Sequence, residues 1–290
     1  AESKADENVD YFVAPETAIP NGMWEEEINF DNSIKKLRKF LQDYPKAKLV
    51  IGADTRHLYY NGEGKSETAR QFGNSEHFYD IYNTVLHLDT SKLVQIYHKS
   101  RLVPGVEMLP YPKLFWFLED LMLDLGGIWG SHGTQEERSV FINDINEIGV
   151  GVPVCYESVY GEYVSEWAKN GANLLFIITN DGWWKKTPGY KQHHSFARIR
   201  AIETRRSIAR SANTGISSFI NERGDVVKLI DWGQRGAIRA SLNANDKITF
   251  YTKYGDFHAR FAVVAAIILL TLQVLNFFLN RIKKQKELKK

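Results

Sequence analysis

The chain has 290 residues, 43% hydrophobic and 25% charged, with 37 basic against 35 acidic side chains for a net charge of +2. That composition excludes wholesale disorder, and its length suits one large α/β domain or two small ones. A single cysteine, Cys155, excludes an intramolecular disulfide and leaves the redox compartment open.

The chain opens at Ala1 without methionine or a signal-peptide pattern. Ala1 to Asn8 reads as the end of a polar helix running into a strand, so a fragment or processed product with an upstream beginning is expected. Short apolar β-rich runs then alternate with helical patterns, the signature of an α/β fold. Strands are predicted at Tyr11–Ala14, Leu49–Gly52, Asn83–Leu88, Leu93–Tyr97, Gly149–Val154 and Leu174–Thr179, then at Ile216–Asn221, Val226–Leu229 and Ala237–Leu242. Helices are predicted at Ser33–Gln42, Gly161–Asn170 and Gln192–Arg206, and a polar surface hairpin loop over Tyr60 to Ser75. Arg198, Arg200, Arg205 and Arg206, read as lying on one helix, suggest an ion-pair network rather than a phosphate site.

Two segments point to lipid. Tyr111 to Trp129 (YPKLFWFLEDLMLDLGGIW) is bulky and apolar. It reads either as an amphipathic helix on the core or as a lid in the lipid interface, with Phe115, Trp116, Phe117, Leu121, Met122 and Trp129 facing the bilayer. Phe261 to Leu279 has nineteen residues and no charge, and a helix of that length spans roughly 28 Å, close to a hydrocarbon core. Arg260 flanks it on one side. Arg281, Lys283, Lys284, Lys286, Lys289 and Lys290 flank it on the other, which puts the C-terminus in the cytoplasm and residues before Arg260 on the outer face. The expected organisation is a catalytic domain over 1–258, a transmembrane helix over 261–279 and a basic cytoplasmic tail over 280–290.

Three strand-like runs end on chemistry-bearing residues: Glu16, Lys99 and Cys155. The carboxyl ends of strands in an open α/β sheet face one crevice, where these three make a base, an oxyanion stabiliser and a nucleophile. A thiol attacks carbonyls as thiolate, so Glu16 acts as base while the Lys99 cation favours the anion. A backbone N–H after Cys155 serves as second oxyanion donor. Cys155 so activated is expected to alkylate quickly near neutral pH. His98 is turned by strand alternation to the opposite face. His193 and His194 are adjacent and do not converge on one ion; no metal or other cofactor is expected.

Ala14-Pro-Glu16-Thr-Ala-Ile-Pro20, Tyr97-His-Lys99 with Leu102-Val-Pro104 and Glu107, and Val154-Cys155-Tyr-Glu157 resemble the signature blocks of the nitrilase (carbon–nitrogen hydrolase) superfamily. More narrowly they are similar to the apolipoprotein N-acyltransferases, whose later blocks Asn180-Asp-Gly-Trp183-Trp184, Gln192-His193, Ala197-Arg-Ile-Arg200-Ala-Ile-Glu203 and Ala212-Asn213-Thr-Gly215 match. The resemblance implies an α-β-β-α sandwich followed by one transmembrane helix. It implies Glu16 as base, Lys99 as oxyanion stabiliser, Cys155 as nucleophile and Glu107 as the glutamate that orients the lysine. Tyr156 and Glu157 would line the pocket beside the nucleophile, or be structural, and Asn83 would help position the site. Trp183 and Trp184 would contact lipid or lid, or be core aromatics. Pro104-Gly105-Val106-Glu107 departs from the family's Pro-Phe-Gly-Glu order. By the resemblance, the family's first strand and helix, and a membrane bundle before them, are expected to be missing from this stretch of sequence.

The implied activity moves a fatty acyl group from a phospholipid, through a Cys155 thioester, to the amine of a lipoprotein's N-terminal diacylglyceryl-cysteine. The partners are then phospholipid, lipoprotein and a bacterial inner membrane, with the catalytic domain periplasmic, the chain a monomer and no nucleic acid involved. The alternatives are an amidase or nitrile hydrolase with the same triad, or a membrane-anchored binding domain with a relic site.

Overall fold

The computed structural model describes residues 5, 6, 8–104, 106–108 and 131–287. Its first sheet is built on β3 (Lys48–Tyr59), which runs antiparallel to β5 (Phe78–Leu88) in unbroken register from Leu49↔Leu88 to Tyr59↔Phe78. The other edge of β3 takes two parallel strands in succession, β1 (Tyr11–Val13) and then β2 (Ile19–Trp24). β4 (Arg70–Gln71) and β6 (Val94–His98) both pair antiparallel with β5.

The second sheet runs in spatial order β12-β11-β10-β9-β8-β7. These are β7 (Val140–Ile142), β8 (Gly149–Gly151), β9 (Leu174–Thr179), β10 (Ser207–Ala212), β11 (Ser217–Ile220) and β12 (Val226–Ile230). Its centre, β8-β9-β10, is parallel, and β9 is buried at all six positions, as a strand covered on both faces must be.

Helix α1 (Asn32–Leu41) packs Ile34 and Leu41 on the outer face of the first sheet, against Leu49, Ile51, Ala53, Leu86 and Leu88. Its Asp31 cap accepts from the N–H groups of Ser33 and Ile34, satisfying two of the helix's orphan donors. Helices α2 (Gly161–Lys169) and α3 (Gly189–Thr204) close the second sheet's outer face, with Tyr163, Val164, Trp167, Ala197 and Ala201 in its core. Val50, Val85 and Tyr97 of the first sheet belong to that same core. The result is the expected α-β-β-α sandwich.

After α4 (Phe250–Tyr254) comes α5 (Phe257–Glu287). Its stretch Phe257–Ile282 has mean hydropathy 2.4 and none of its 18-residue apolar window is buried. It is long and apolar enough to cross a membrane by length and composition.

Several boundaries differ from expectation for local reasons. β8 stops at Gly151 and only an isolated bridge, Val154↔Ile178, continues the predicted Gly149–Val154 strand; Pro153 lacks the N–H that the ladder needs. β2 was hidden by Pro20 and Gly22, β7 by its brevity, and β10 by its arginine. Ala237–Leu242 alternates like a strand yet forms none. The predicted helix to Arg206 ends at Thr204 because Arg205 turns left-handed (φ 53°). Arg206 is therefore buried off the helix and donates to three carbonyls. Arg198 and Arg205 also bond carbonyls, so among the described residues Arg200 alone of the four arginines makes an ion pair, with Glu203.

Candidate active site

Glu16 leaves the chain in the gap between β1 and β2, where the backbone comes off the sheet. Gly52 on β3 makes the gap possible: a Cβ there would lie 2.6 Å from Glu16 Cα and 2.5 Å from Thr17 N. Lys99 follows the last residue of β6 and is tied back by its N–H to Asn83 O of β5 (2.9 Å). Both side chains point between the sheets, and the structure brings Glu16, Lys99, Glu107 and Asn83 together.

Lys99 Nζ donates to Glu16 Oε1 (3.0 Å) and Glu107 Oε1 (2.8 Å). Asn83 Nδ2 donates to the same two oxygens, at 2.7 and 3.0 Å. Glu16 Oε2 accepts from the N–H of Asn180 (2.8 Å), and Glu107 Oε2 from the N–H of Val103 (2.8 Å). Every one of these side chains is buried. Burial opposes the lysine's charge, but the Glu16 and Glu107 carboxylates outweigh it and hold Lys99 well above its ordinary value. Burial likewise opposes the Glu107 charge, and Lys99 overrides it, keeping that carboxyl below its usual range. The lysine is a fixed cation.

Cys155 opens a 3-10 turn, Cys155–Val159, with φ +50°, the left-handed region that a non-glycine residue occupies at a cost of about 1 kcal/mol or more. The turn is braced from beneath. Cys155 O accepts from Ser158 Oγ (2.6 Å) and faces His193 Nε2 (3.0 Å). His193 Nδ1 lies 2.8 Å from Asp181 Oδ1, and Arg210 Nη2 donates to Asp181 Oδ2 (2.9 Å). Thr179 Oγ1 donates to the same carboxylate (3.0 Å). Although burial works against ionisation, His193 and Arg210 bring Asp181 down to about 2.

The surroundings of Cys155 favour the thiol form of its sulfur. Burial first, then the Glu16 charge, push Cys155 up to about 12, against which Lys99 counts only partly because two carboxylates already neutralise it. This upward shift argues against the quick alkylation near neutral pH expected from the sequence.

Glu157 does not line a pocket. It is fully buried, and its Oε1 accepts from Tyr97 OH (2.7 Å), Tyr163 OH (2.8 Å) and the N–H groups of Ser100 (2.7 Å) and Arg101 (3.2 Å). Oε2 accepts from Val154 N (2.8 Å), so this carboxyl ties the Lys99 strand end to the Cys155 turn. Tyr156 is half-buried and meets Tyr160 edge-on at 5.2 Å. Trp183 and Trp184 are 56% and 45% exposed, which rules out core packing. Phe115, Trp116, Phe117 and Trp129 lie outside the described residues. His98 packs away from the cluster as expected, stacked on Tyr82 and bonded to Glu25. Asn180, Asp181, His193 and Arg210 were missed as site residues; Asn180-Asp-Gly follows the end of β9, the same strand-end signal that marked the other three.

The carbon–nitrogen hydrolase family model matches residues 2–248. Among curated proteins, the apolipoprotein N-acyltransferase of Chlorobaculum tepidum is 36% identical over 165 residues, 56% of this chain and 31% of that protein. Apolipoprotein N-acyltransferase 1 of Treponema denticola is 29% identical over 288 residues, 94% of this chain and 51% of that protein. The chain thus spans at most about half the length of these relatives. Among solved structures, Nit3 of Saccharomyces cerevisiae, a nitrilase-superfamily member, aligns at TM-score 0.51 and 16% identity, covering 78% of this chain and 74% of that one. An amidase from Nesterenkonia sp. aligns at TM-score 0.51 and 14% identity, covering 88% and 83%. The last two likenesses concern the fold alone; the family match, spanning the whole sandwich and both halves of the cluster, makes this chain a member of the carbon–nitrogen hydrolase family.

Proposed function

We propose that this chain is the catalytic part of a membrane-bound N-acyltransferase that works through a Glu16-Lys99-Cys155 triad. The observation that carries the reading is the buried Lys99 ammonium held between Glu16 and Glu107. A fixed cation in a water-poor site stabilises an oxyanion far better than it would in water. The similarity to apolipoprotein N-acyltransferases supplies the substrates, and the unburied apolar helix α5 favours lipid over a small soluble amide.

In the first half-reaction Glu16 takes the Cys155 proton as the sulfur attacks the ester carbonyl of a phospholipid. The tetrahedral oxyanion rests against Lys99 and the N–H of Tyr156. Glu16 returns the proton to the leaving glycerol oxygen, so lysophospholipid departs and a thioester remains. In the second, the amine of a lipoprotein's diacylglyceryl-cysteine attacks the thioester and leaves as an amide. Glu107 orients the lysine, and Asn83 fixes both carboxylates. Helix α5 anchors the chain in a bacterial cytoplasmic membrane with the sandwich on the outer face, as a monomer.

The test feeds the whole protein phosphatidylethanolamine and a diacylglyceryl-cysteinyl peptide. The reading expects lysophospholipid and amide-linked acyl peptide in equal amounts. Free fatty acid with unmodified peptide would instead identify a hydrolase.

A further inference from the structure

Asp54 stands beside this cluster and the acyl-transfer scheme leaves it unused. It lies on β3, whose side chains alternate between faces. Leu49, Ile51 and Ala53 face α1, whereas Val50 faces the inter-sheet core. Gly52, Asp54 and Arg56 therefore share the face that looks onto the site. Asp54 pairs directly with Asn83 in the β3–β5 ladder, and Asn83 is the amide that holds Glu16 and Glu107.

Two observations mark a place for a cation. Asp54 is half-buried and has no hydrogen bond or ion pair among the described residues. Asn83 is 5% exposed, and its Oδ1 is buried without a partner among the described residues. A carboxylate and an amide oxygen, neighbours across one ladder, are both short of a donor among the described residues. The charges agree. Glu16, Glu107 and Asp54 contribute three negative charges against Lys99 and Arg56, and His132 is kept neutral by burial, which takes it down to about 4. Burial first, then Glu16 and Glu107, raise the Asp54 carboxyl to about 6, with Arg56 offsetting part of the shift.

We infer that Asp54, with Asn83 Oδ1, binds the ammonium group of the acyl acceptor and takes its first proton. The inference rests on the acyltransferase reading and deepens it, because it separates transfer to a cationic amine from attack by water. The ammonium docks on the Asp54 carboxylate and gives it one proton, becoming a neutral amine. The nitrogen lone pair forms the C–N bond to the thioester carbonyl, whose π electrons move to oxygen against Lys99. The second N–H proton passes to Glu16, the carbonyl re-forms, and the C–S bond breaks. The sulfur takes the proton from Glu16, restoring the Cys155 thiol, while the Asp54 proton leaves to solvent. A carboxyl already raised by burial and by the Glu16 and Glu107 charges is well suited to accept that proton at neutral pH.

The test uses the whole protein in phosphatidylethanolamine vesicles and separates the two half-reactions. Cys155 is first acylated without acceptor. The thioester is then challenged with a diacylglyceryl-cysteinyl peptide, a cation, or with hydroxylamine, which is uncharged near neutral pH. In Asp54→Asn, an isosteric change, transfer to the peptide should fall at least about 30-fold, with a raised KM, while acylation and cleavage by hydroxylamine change no more than about 3-fold. Asp54→Glu should recover part of the transfer. Wild-type transfer in Asp54→Asn, or equal loss towards both nucleophiles, overturns the inference. Absence of an acyl adduct in the unaltered protein overturns the acyltransferase reading first, and this inference with it.

Discussion

Gly52 lies beneath Glu16 so closely that a single methyl group has no room: its carbon would sit 2.6 Å from Glu16 Cα, in contact with backbone that cannot swing aside. The position of the proposed base is thus set by an absent side chain on a neighbouring strand. Gly52→Ala should displace the Glu16 loop, lower stability by about 1–3 kcal/mol through overpacking, and cut acyl transfer by about 100-fold. Thermal melts alongside transfer assays check both; full activity with an unchanged Tm would show that the loop yields.

Lys99 is worth more to the fold than its replacement by an apolar residue suggests. Lys99→Met leaves Glu16 and Glu107 buried without their cation, which should cost about 3–5 kcal/mol. Adding Glu107→Gln should recover much of that stability and none of the activity. Denaturant unfolding of the single and double variants measures the difference, and an undiminished single variant contradicts the cluster's electrostatics.

The Cys155 thiol, held at about 12 by burial and Glu16, should react with iodoacetamide slowly at neutral pH, with a rate that rises with pH and shows no plateau below about pH 9. Glu107 also raises the thiol. Glu107→Gln should therefore move the alkylation profile to lower pH while abolishing acyl transfer. A wild-type plateau near pH 7 would mean that the resting nucleophile is a thiolate.

The Asp181 carboxylate is fully buried between His193 and Arg210. Its pKa is lowered to about 2 from an ordinary 3.8, so its contribution to stability is complete above the ordinary value and lost as pH falls towards 2. Asp181→Asn should cost about 3–5 kcal/mol at neutral pH, and the gap to wild type should narrow in acid. His193→Ala, which removes a group facing Cys155 O, should lower kcat more than it raises KM; His193→Gln, which keeps a donor near that carbonyl, should restore part of it.

Much of this was legible in the sequence because strand ends announce themselves. Glu16 and Lys99 each follow an apolar run, and in the fold they bond each other directly beside Asn83; Asn180, whose N–H caps the base, follows β9 in the same way but was not read as a site residue. Cys155 was legible for the same reason, though Pro153 ends the ladder earlier than its apolar run suggests. The rest depends on long-range pairing. Asp54 becomes a neighbour of Asn83 only through the β3–β5 register, and the His193-Asp181-Arg210 brace joins α3, a turn and β10. Glu157 follows the nucleophile by two residues, yet the short turn rotates it inward to five donors. Trp183 and Trp184 carry no pattern that separates surface from core; only the fold exposes them.

The most direct measurement is the mass of the whole protein, and of its Cys155 peptide, after incubation with phospholipid alone. The account predicts a fatty-acyl adduct on Cys155 that is absent in Cys155→Ala, with one lysophospholipid released per adduct. An unmodified cysteine with no lysophospholipid would contradict it.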